Sequence, residues 1–324
     1  MNILWIKDGK KGHEKQVKVL LEELSKTISI NIYEENYQIN SIKKFFDIFH
    51  HLTFYIFKRD DKSDILRNYN KSDIHIIVGA GSNTHIRIAS LKKILKDSFN
   101  KSVIAISILT PSFFKKEFDL ICAPKHDRKK LKNFKNTLFF EGSLAKVSTQ
   151  DPDDNIGLIG LGGINKHYIF NENELLDQIE YVLSLYPNKQ WHLFISRRTP
   201  KTMIQKISKL KQVFTNIVIS QEGFDEIIKN ASIKFITQDS INMVYESLSC
   251  KGKTILFNMD YKKENKVVKK INELISNNQI GLIEKTKMVD GLFRTKILMP
   301  NNFNEVFCEV EKLSYKLIKY LNPK

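Results

Sequence analysis

Two adjacent arginines between hydroxyls, Ser196-Arg197-Arg198-Thr199-Pro200, follow an apolar run over 191–195 and precede a helical apolar pattern that starts at Lys201. A guanidinium is planar and offers paired donors that match phosphate oxygens. A strand that ends in such a loop and opens a helix adds free N–H groups and a partial positive charge. Pro200 suits the first helical turn, where its missing N–H costs nothing. The predicted chemistry is capture of a phosphate by Ser196, Arg197, Arg198 and Thr199. The alternative for an Arg-Arg pair alone is a solvated turn.

Four further strings fall where strands are expected to end. Lys7-Asp8-Gly9-Lys10-Lys11-Gly12-His13-Glu14 follows the first apolar run, and its glycines permit a tight turn and close approach of a ligand. It matches neither GxGxxG nor the Walker pattern, and an exposed charged turn is the alternative. Val78-Gly79-Ala80-Gly81-Ser82 is a second glycine turn, with Ser82 expected to cap the next helix. Ala123-Pro124-Lys125-His126-Asp127 sets a histidine and a carboxylate together, either as a base in a cleft or as a local turn. Gly160-Leu161-Gly162-Gly163 could offer backbone N–H groups to a pyrophosphate. A last string, Thr237 to Glu246, ends a strand and starts a helix at Asp239 or Ser240. Glu246, under two turns along, is a carboxylate able to accept both hydroxyls of a ribose.

These strings need elements to hold them. Strands are expected over 2–6, 28–33, 74–78, 102–106 and 118–122. A second set is expected over 156–160, 191–195, 216–219, 233–236 and 254–257. Helical stretches lie between them, including 13–27, 41–58, 171–185 and 303–321. Such alternation predicts parallel sheets with helices on both faces. The polar stretch 148–155 breaks the pattern and reads as a linker. The expected architecture is α/β: two Rossmann-like, doubly wound parallel-sheet domains facing a cleft, with ligands outside the C-terminal strand ends.

At 324 residues the chain is long enough for two domains. It has no run of 18 apolar residues and no signal-peptide pattern at Met1, and its three cysteines form no CxxC pair. Reduced thiols in a cytoplasmic protein are therefore expected. The net charge of +16 suggests an anionic partner. Its lysines are dispersed and no RNP motif or zinc finger is present, so nucleic acid is not the expected partner. Asp151-Pro152-Asp153-Asp154 lies in the linker and is not expected to hold a metal. The aromatic segment 45–59, flanked by Lys43-Lys44 and Lys58-Arg59, fits either an interfacial helix on anionic lipid or a core helix.

Taken in order, Trp5-Ile6-Lys7-Asp8-Gly9-Lys10 with Gly12-His13-Glu14 and Gln16, Pro124-Lys125-His126-Asp127, Ser196-Arg197-Arg198-Thr199-Pro200 and Asp239-Ser240-Ile241-Asn242-Met243-Val244-Tyr245-Glu246 resemble the mitochondrial-fission ELM family. Its bacterial branch is assigned as glycosyltransferases. The resemblance implies a GT-B-like build, with an acceptor domain over 1–150, a nucleotide-sugar domain over 151–302 and a helix over 303–324 returning to the first. It implies a donor site of Gly162, Gly163, Ser196, Arg197, Arg198, Thr199, Asp239, Ser240, Met243 and Glu246, with Asp8, His13 or Asp127 as the base. A sugar would pass from a nucleotide-activated donor to a cell-envelope glycan or glycolipid, with no metal or other cofactor, in the cytoplasm or on the inner membrane face. Gln238 stands where the family usually carries an acidic residue, and Gly79 to Asn83 lacks the usual basic residues. Two other classes stay open: a non-catalytic membrane-recruitment adaptor, as in the plant branch, and a nucleotide-sugar epimerase of similar build.

Overall fold

Short apolar runs bounded by glycine and polar turns become strands buried on both faces, as parallel sheets require. The computed structural model describes residues 1–38, 42, 45, 46, 48, 49, 73–284, 287–289, 292–301 and 306–322. The chain divides into two compact units, Met1–Ala145 with Glu309–Lys324, and Lys146–Cys308.

In the first unit β1 (Asn2–Lys7), β2 (Asn31–Asn36), β3 (Ile76–Ala80), β4 (Ile104–Ile108), β5 (Leu120–Pro124) and β6 (Thr137–Phe140) form one parallel sheet. Its order is β2-β1-β3-β4-β5-β6. The chain therefore reverses its winding between β1 and β3, and the loops after those strands diverge at one point. Helix α1 (Lys11–Ser25) buries Val17, Leu20, Leu21 and Leu24, and α2 (Ser82–Phe99) follows β3. Ser82 is the first residue of α2 and Gly81 takes the cap position instead, with φ +92° and no side-chain cap bond.

In the second unit β7 (Asp153–Leu161), α3 (Glu172–Leu185), β8 (Gln190–Ile195), α4 (Lys201–Val213), β9 (Ile217–Ser220), α5 (Phe224–Asn230), β10 (Ala231–Thr237), α6 (Ile241–Leu248), β11 (Lys253–Phe257) and α7 (Lys266–Ser276) alternate without interruption. Four short strands follow, β12 (Gly281–Ile283), β13 (Lys287–Val289), β14 (Leu292–Arg294) and β15 (Ile297–Leu298). The sheet order is β15-β12-β11-β10-β7-β8-β9, parallel except for β15. Counted from β7, the parallel strands run 3-2-1-4-5-6, the doubly wound dinucleotide-binding order, with its switch point between β7 and β10. Trp191, Phe235, Phe257, Ile179 and Leu183 pack one face of this sheet, and Leu158, Ile236, Val244 and Leu256 the other.

The linker expected over 148–155 is instead part of the second unit. The Ser148 N–H donates to the Ser249 carbonyl at 3.0 Å, and β7 already begins at Asp153. A final helix, α8 (Glu309–Leu321), packs in the first unit through buried Val310, Leu313 and Leu317. There the Glu309 carboxylate accepts from the Glu141 N–H at 2.6 Å, and the Tyr320 hydroxyl donates to the Asp119 carbonyl at 3.1 Å. Of the helix expected over 41–58, only Ile42, Phe45, Phe46, Ile48 and Phe49 lie within the described residues, and all five are helical. No helix among the described residues is long and apolar enough to cross a membrane.

Candidate functional site

Three loops meet at the switch point of the second sheet because β7 pairs with β10 on one side and β8 on the other. They are the Gly162-Gly163 turn after β7, the Ser196–Thr199 turn after β8 and the Gln238–Ser240 turn after β10. The two glycines are there because nothing larger fits. A Cβ on Gly162 would collide with the Asp239 carboxylate, and one on Gly163 with the Arg198 carbonyl.

The buried Asp239 carboxylate is the hub. Its Oδ2 accepts from the Gly163 N–H at 2.9 Å and from Arg198 Nη2 at 3.0 Å. Arg198 also reaches the Gly163 and Ile164 carbonyls, at 3.5 Å each. The Asn165 amide donates to the Asp239 carbonyl at 3.1 Å, and its Oδ1 accepts from the His167 and Tyr168 N–H groups. Among the described residues, Asp239 Oδ1 and the buried Tyr168 hydroxyl have no hydrogen-bond partner. Burial pushes the Asp239 carboxyl above its ordinary pKa, against the Gly163 N–H and the Arg198 charge, which lower it. Burial, with the Asp239 charge second, raises the Tyr168 phenol as well.

Four roles expected from the sequence change in the light of this geometry. The Gly162 N–H donates to the Thr237 hydroxyl at 2.7 Å and the Gly163 N–H to Asp239, so neither amide is left for a pyrophosphate. The Ser196 and Thr199 hydroxyls both donate to the Gly162 carbonyl, at 2.7 and 2.5 Å, and so lash the β8 loop to the β7 loop. Arg198 is held by Asp239 and braces the site. Met243 packs on the buried cluster around Leu158 and Ile236. Arg197 is exposed, with no partner among the described residues, while the first turn of α6 is half-buried, with Ile241 and Met243 packed on that cluster. Ser240 holds the cap position of α6 without a side-chain cap bond. Glu246 stands half-buried on the same helix.

Gly163 gives a direct check on this hub. Gly163→Ala drives a methyl group into the Arg198 carbonyl and must part the loops joined by the Ile164 N–H to Arg198 carbonyl bond of 3.2 Å. The expected loss is about 1–3 kcal/mol. It is read as a lower midpoint in urea at unchanged m-value.

At the switch point of the first sheet, β1 delivers Asp8 and β3 delivers Gly81. Asp8 is buried, and its Oδ2 lies 2.9 Å from His13 Nδ1 while Oδ1 accepts from the Lys10 N–H at 3.1 Å. Burial alone would raise the Asp8 carboxyl. The His13 contact and the Lys10 amide and charge outweigh it and hold the carboxyl below its ordinary pKa. The His13 imidazole keeps 28% of its surface exposed. Gly81 closes over the pair, since a Cβ there would strike the imidazole and come within 3.1 Å of Asp8 Oδ2. The glycine turns after β1 and β3 are thus one structure. Asp127 is elsewhere: it follows β5, accepts from the Thr110 hydroxyl at 2.9 Å and pairs with Lys130 at 3.3 Å. Three strand spacings, roughly 14 Å, separate β5 from β1. His126 is exposed.

Thr237, Asn165, Tyr168 and Gly81 join the sites without having been singled out as site residues. Three of them stand inside the quoted or adjoining loops, but their partners lie up to 75 residues away. Among the described residues, no group of three metal-ligating side chains forms.

The family model described as mitochondrial fission ELM1 matches residues 11–291. No curated protein matches the chain. Among solved structures, an assigned UDP-N-acetylglucosamine 2-epimerase from Listeria monocytogenes aligns with TM-score 0.50 at 9% identity, over 84% of this chain and 81% of that one. The UDP-GlcNAc 2-epimerase from Neisseria meningitidis bound to UDP-GlcNAc aligns with TM-score 0.49 at 11% identity, over 99% and 92%. CalG4, the calicheamicin glycosyltransferase, aligns with TM-score 0.43 at 10% identity, over 87% and 84%. Likeness at this level is likeness of fold.

Proposed function

This chain belongs to the mitochondrial fission ELM1 family, and from that premise and its two switch-point sites we propose that it is a glycosyltransferase that uses a nucleotide-activated sugar. The observation that carries the proposal is the exposed Arg197 next to the Arg198–Asp239 brace, at the switch point of a 3-2-1-4-5-6 sheet. Ligands of such sheets sit outside the strand ends at this point. In this proposal Arg197 and the start of α6 receive the diphosphate, and Glu246 holds the ribose. Stabilising the charge that develops on the leaving diphosphate is usually the largest catalytic contribution. Arginine and a helix N-terminus can supply it without a metal.

His13 is the proposed base for the acceptor hydroxyl, and Asp8 its positioning partner. The 2.9 Å contact supports this assignment. With Nδ1–H donated to Asp8, Nε2 carries the lone pair and takes the acceptor proton as the oxygen attacks the anomeric carbon. The nucleoside diphosphate then leaves with the bonding electrons. The proposed acceptor is a cell-envelope glycan or glycolipid.

A thermal-shift panel of UDP, GDP, CMP and dTDP with their common sugars tests the donor site. At a hundred times its dissociation constant, a ligand adds roughly 2.7 kcal/mol, which raises Tm by several degrees at about 2–4 °C per kcal/mol. One nucleotide is expected to give this shift, in EDTA as well as without it, and Arg197→Ala to lose most of it. Silence across the whole panel would turn the reading to the adaptor. Sugar interconversion without an acceptor would turn it to an epimerase.

A further inference from the structure

The Asp239 carboxylate uses one of its two oxygens. Oδ2 accepts from the Gly163 N–H at 2.9 Å and from Arg198 Nη2 at 3.0 Å, and Oδ1 has no hydrogen-bond partner among the described residues. The neighbouring Thr237 hydroxyl and Asn165 amide donate instead to the Gly160 and Asp239 carbonyls. The Tyr168 hydroxyl is the complementary case, a donor with no acceptor among the described residues. Tyr168 is 1% exposed and Asp239 6%, so bulk solvent satisfies neither. Asn165 ties the two residues together. Its Oδ1 accepts from the Tyr168 N–H at 2.9 Å, and its amide donates to the Asp239 carbonyl at 3.1 Å. Burial and then the Asp239 charge raise the phenol, so it keeps its proton for donation. A buried donor and a buried acceptor, both idle at one hub, leave stabilisation unclaimed.

The cation on Asp239 is the part that can leave. The Arg198 side chain is 43% exposed, against 1% for that of Asp239. Its other contacts, to the Gly163 and Ile164 carbonyls, are at 3.5 Å, beyond the usual range of a hydrogen bond. It also adjoins the exposed Arg197. A diphosphate offers a guanidinium charged oxygens in the bidentate geometry that it binds best. If Arg198 turned to it, Asp239 would be a buried charge short of its cation, which is costly unless another donor takes over. We propose that Arg198 exchanges Asp239 for the diphosphate when the nucleotide binds, and that the Tyr168 hydroxyl then donates to Asp239 Oδ1. Arg198 is thereby a second diphosphate ligand beside Arg197, and Tyr168 a positioning residue that acts through Asp239. This rests on the donor-site reading above and deepens it: the free protein holds its second arginine in reserve.

The test is calorimetric titration of the full chain with inorganic pyrophosphate. Tyr168→Phe removes a hydroxyl that bonds nothing in the free protein, so its Tm and urea midpoint without ligand should match or exceed those of wild type. Its Kd for pyrophosphate should rise at least about tenfold, the scale of a hydrogen bond to a charged group. Arg198→Met should weaken binding at least as much. In an Asp239→Asn background no buried charge waits for a donor, so Tyr168→Phe should then change Kd little, and the double-mutant cycle reads that coupling. Should Asp239→Asn not fold, Tyr168→Phe alone decides. Equal Kd values for wild type and Tyr168→Phe overturn the exchange and leave the donor reading intact. So does a Kd that rises only together with a fall in ligand-free Tm, since the hydroxyl would then hold the fold and not the ligand. Wild type that ignores pyrophosphate overturns it too, while the nucleotide panel judges the donor reading separately.

Discussion

Lys234→Met is expected to destabilise the second unit by about 3–5 kcal/mol, a fall in Tm of roughly 10 °C. Lys234 lies in the middle of β10 with no exposed surface. Its ammonium donates to the carbonyls of Ser247 at 2.8 Å, Cys250 at 3.1 Å and Lys251 at 2.7 Å. These are the carbonyls at the end of α6 and just beyond it, where a helix leaves acceptors unsatisfied and carries partial negative charge. Methionine fills the volume but takes the ammonium donor from all three carbonyls, of which that of Ser247 keeps the Cys250 N–H at 3.3 Å. Because α6 starts at the donor site, nucleotide binding should weaken too. The pH dependence adds a second readout. Burial pushes the Lys234 ammonium down to about 8, below its ordinary 10.5. Below pH 8 both folded and unfolded chains carry the charge, and the burial penalty is fully present. Between about 8 and 10.5 the folded chain releases the proton first, so stability rises with pH. Lys234→Met should remove that rise. Urea melts of both proteins at pH 7 and pH 10 check it, and identical slopes would contradict the account.

His13→Ala is expected to lower kcat by about 10²- to 10⁴-fold, the usual worth of a positioned general base. The substrate is the nucleotide sugar chosen by the thermal-shift panel, and donor binding should be unaffected. Asp8→Asn tests the supporting role. The amide keeps the shape but loses the charge that fixes the tautomer and stabilises the imidazolium, so kcat should fall while KM for the donor holds. Asp127 offers the contrast. It is tied to Thr110 and Lys130 at the end of another strand, and Asp127→Asn should leave kcat within a few-fold of wild type. A rate lost with Asp127 and kept without His13 would transfer the role of base to Asp127.

Much of this architecture is legible in the residues because parallel strands buried on both faces read as short unbroken apolar runs. IIVGA and LICAP are of this kind, and each has its glycine or polar turn close by. The Arg-Arg loop is legible for the same reason: it interrupts apolar β8 and opens α4. What stays hidden is pairing across the fold. Arg198 and Asp239 are 41 residues apart, and only the β7–β10 register brings their loops together. The Gly162 and Gly163 turn reads as a phosphate loop, but Asp239 already fills the role of its anion. Lys234 does leave a trace, a lone cation in the strand ASIKFIT, but its three acceptors come from the far end of a helix. Strands β6 and β12 to β15, two to four residues each, are too short to show a period.

The return of α8 to the first unit sets the order in which the molecule can be made. Domains generally fold N-terminal first as a chain emerges during synthesis. Here residues 1–145 emerge first but lack the helix that covers α1 and β6 until residues 309–321 are out. The 163 residues of the second unit, Lys146–Cys308, come out in one stretch and can close at once. The domain begun first is therefore finished last. In the interval its α1–β6 surface is open apolar ground for a chaperone to shield.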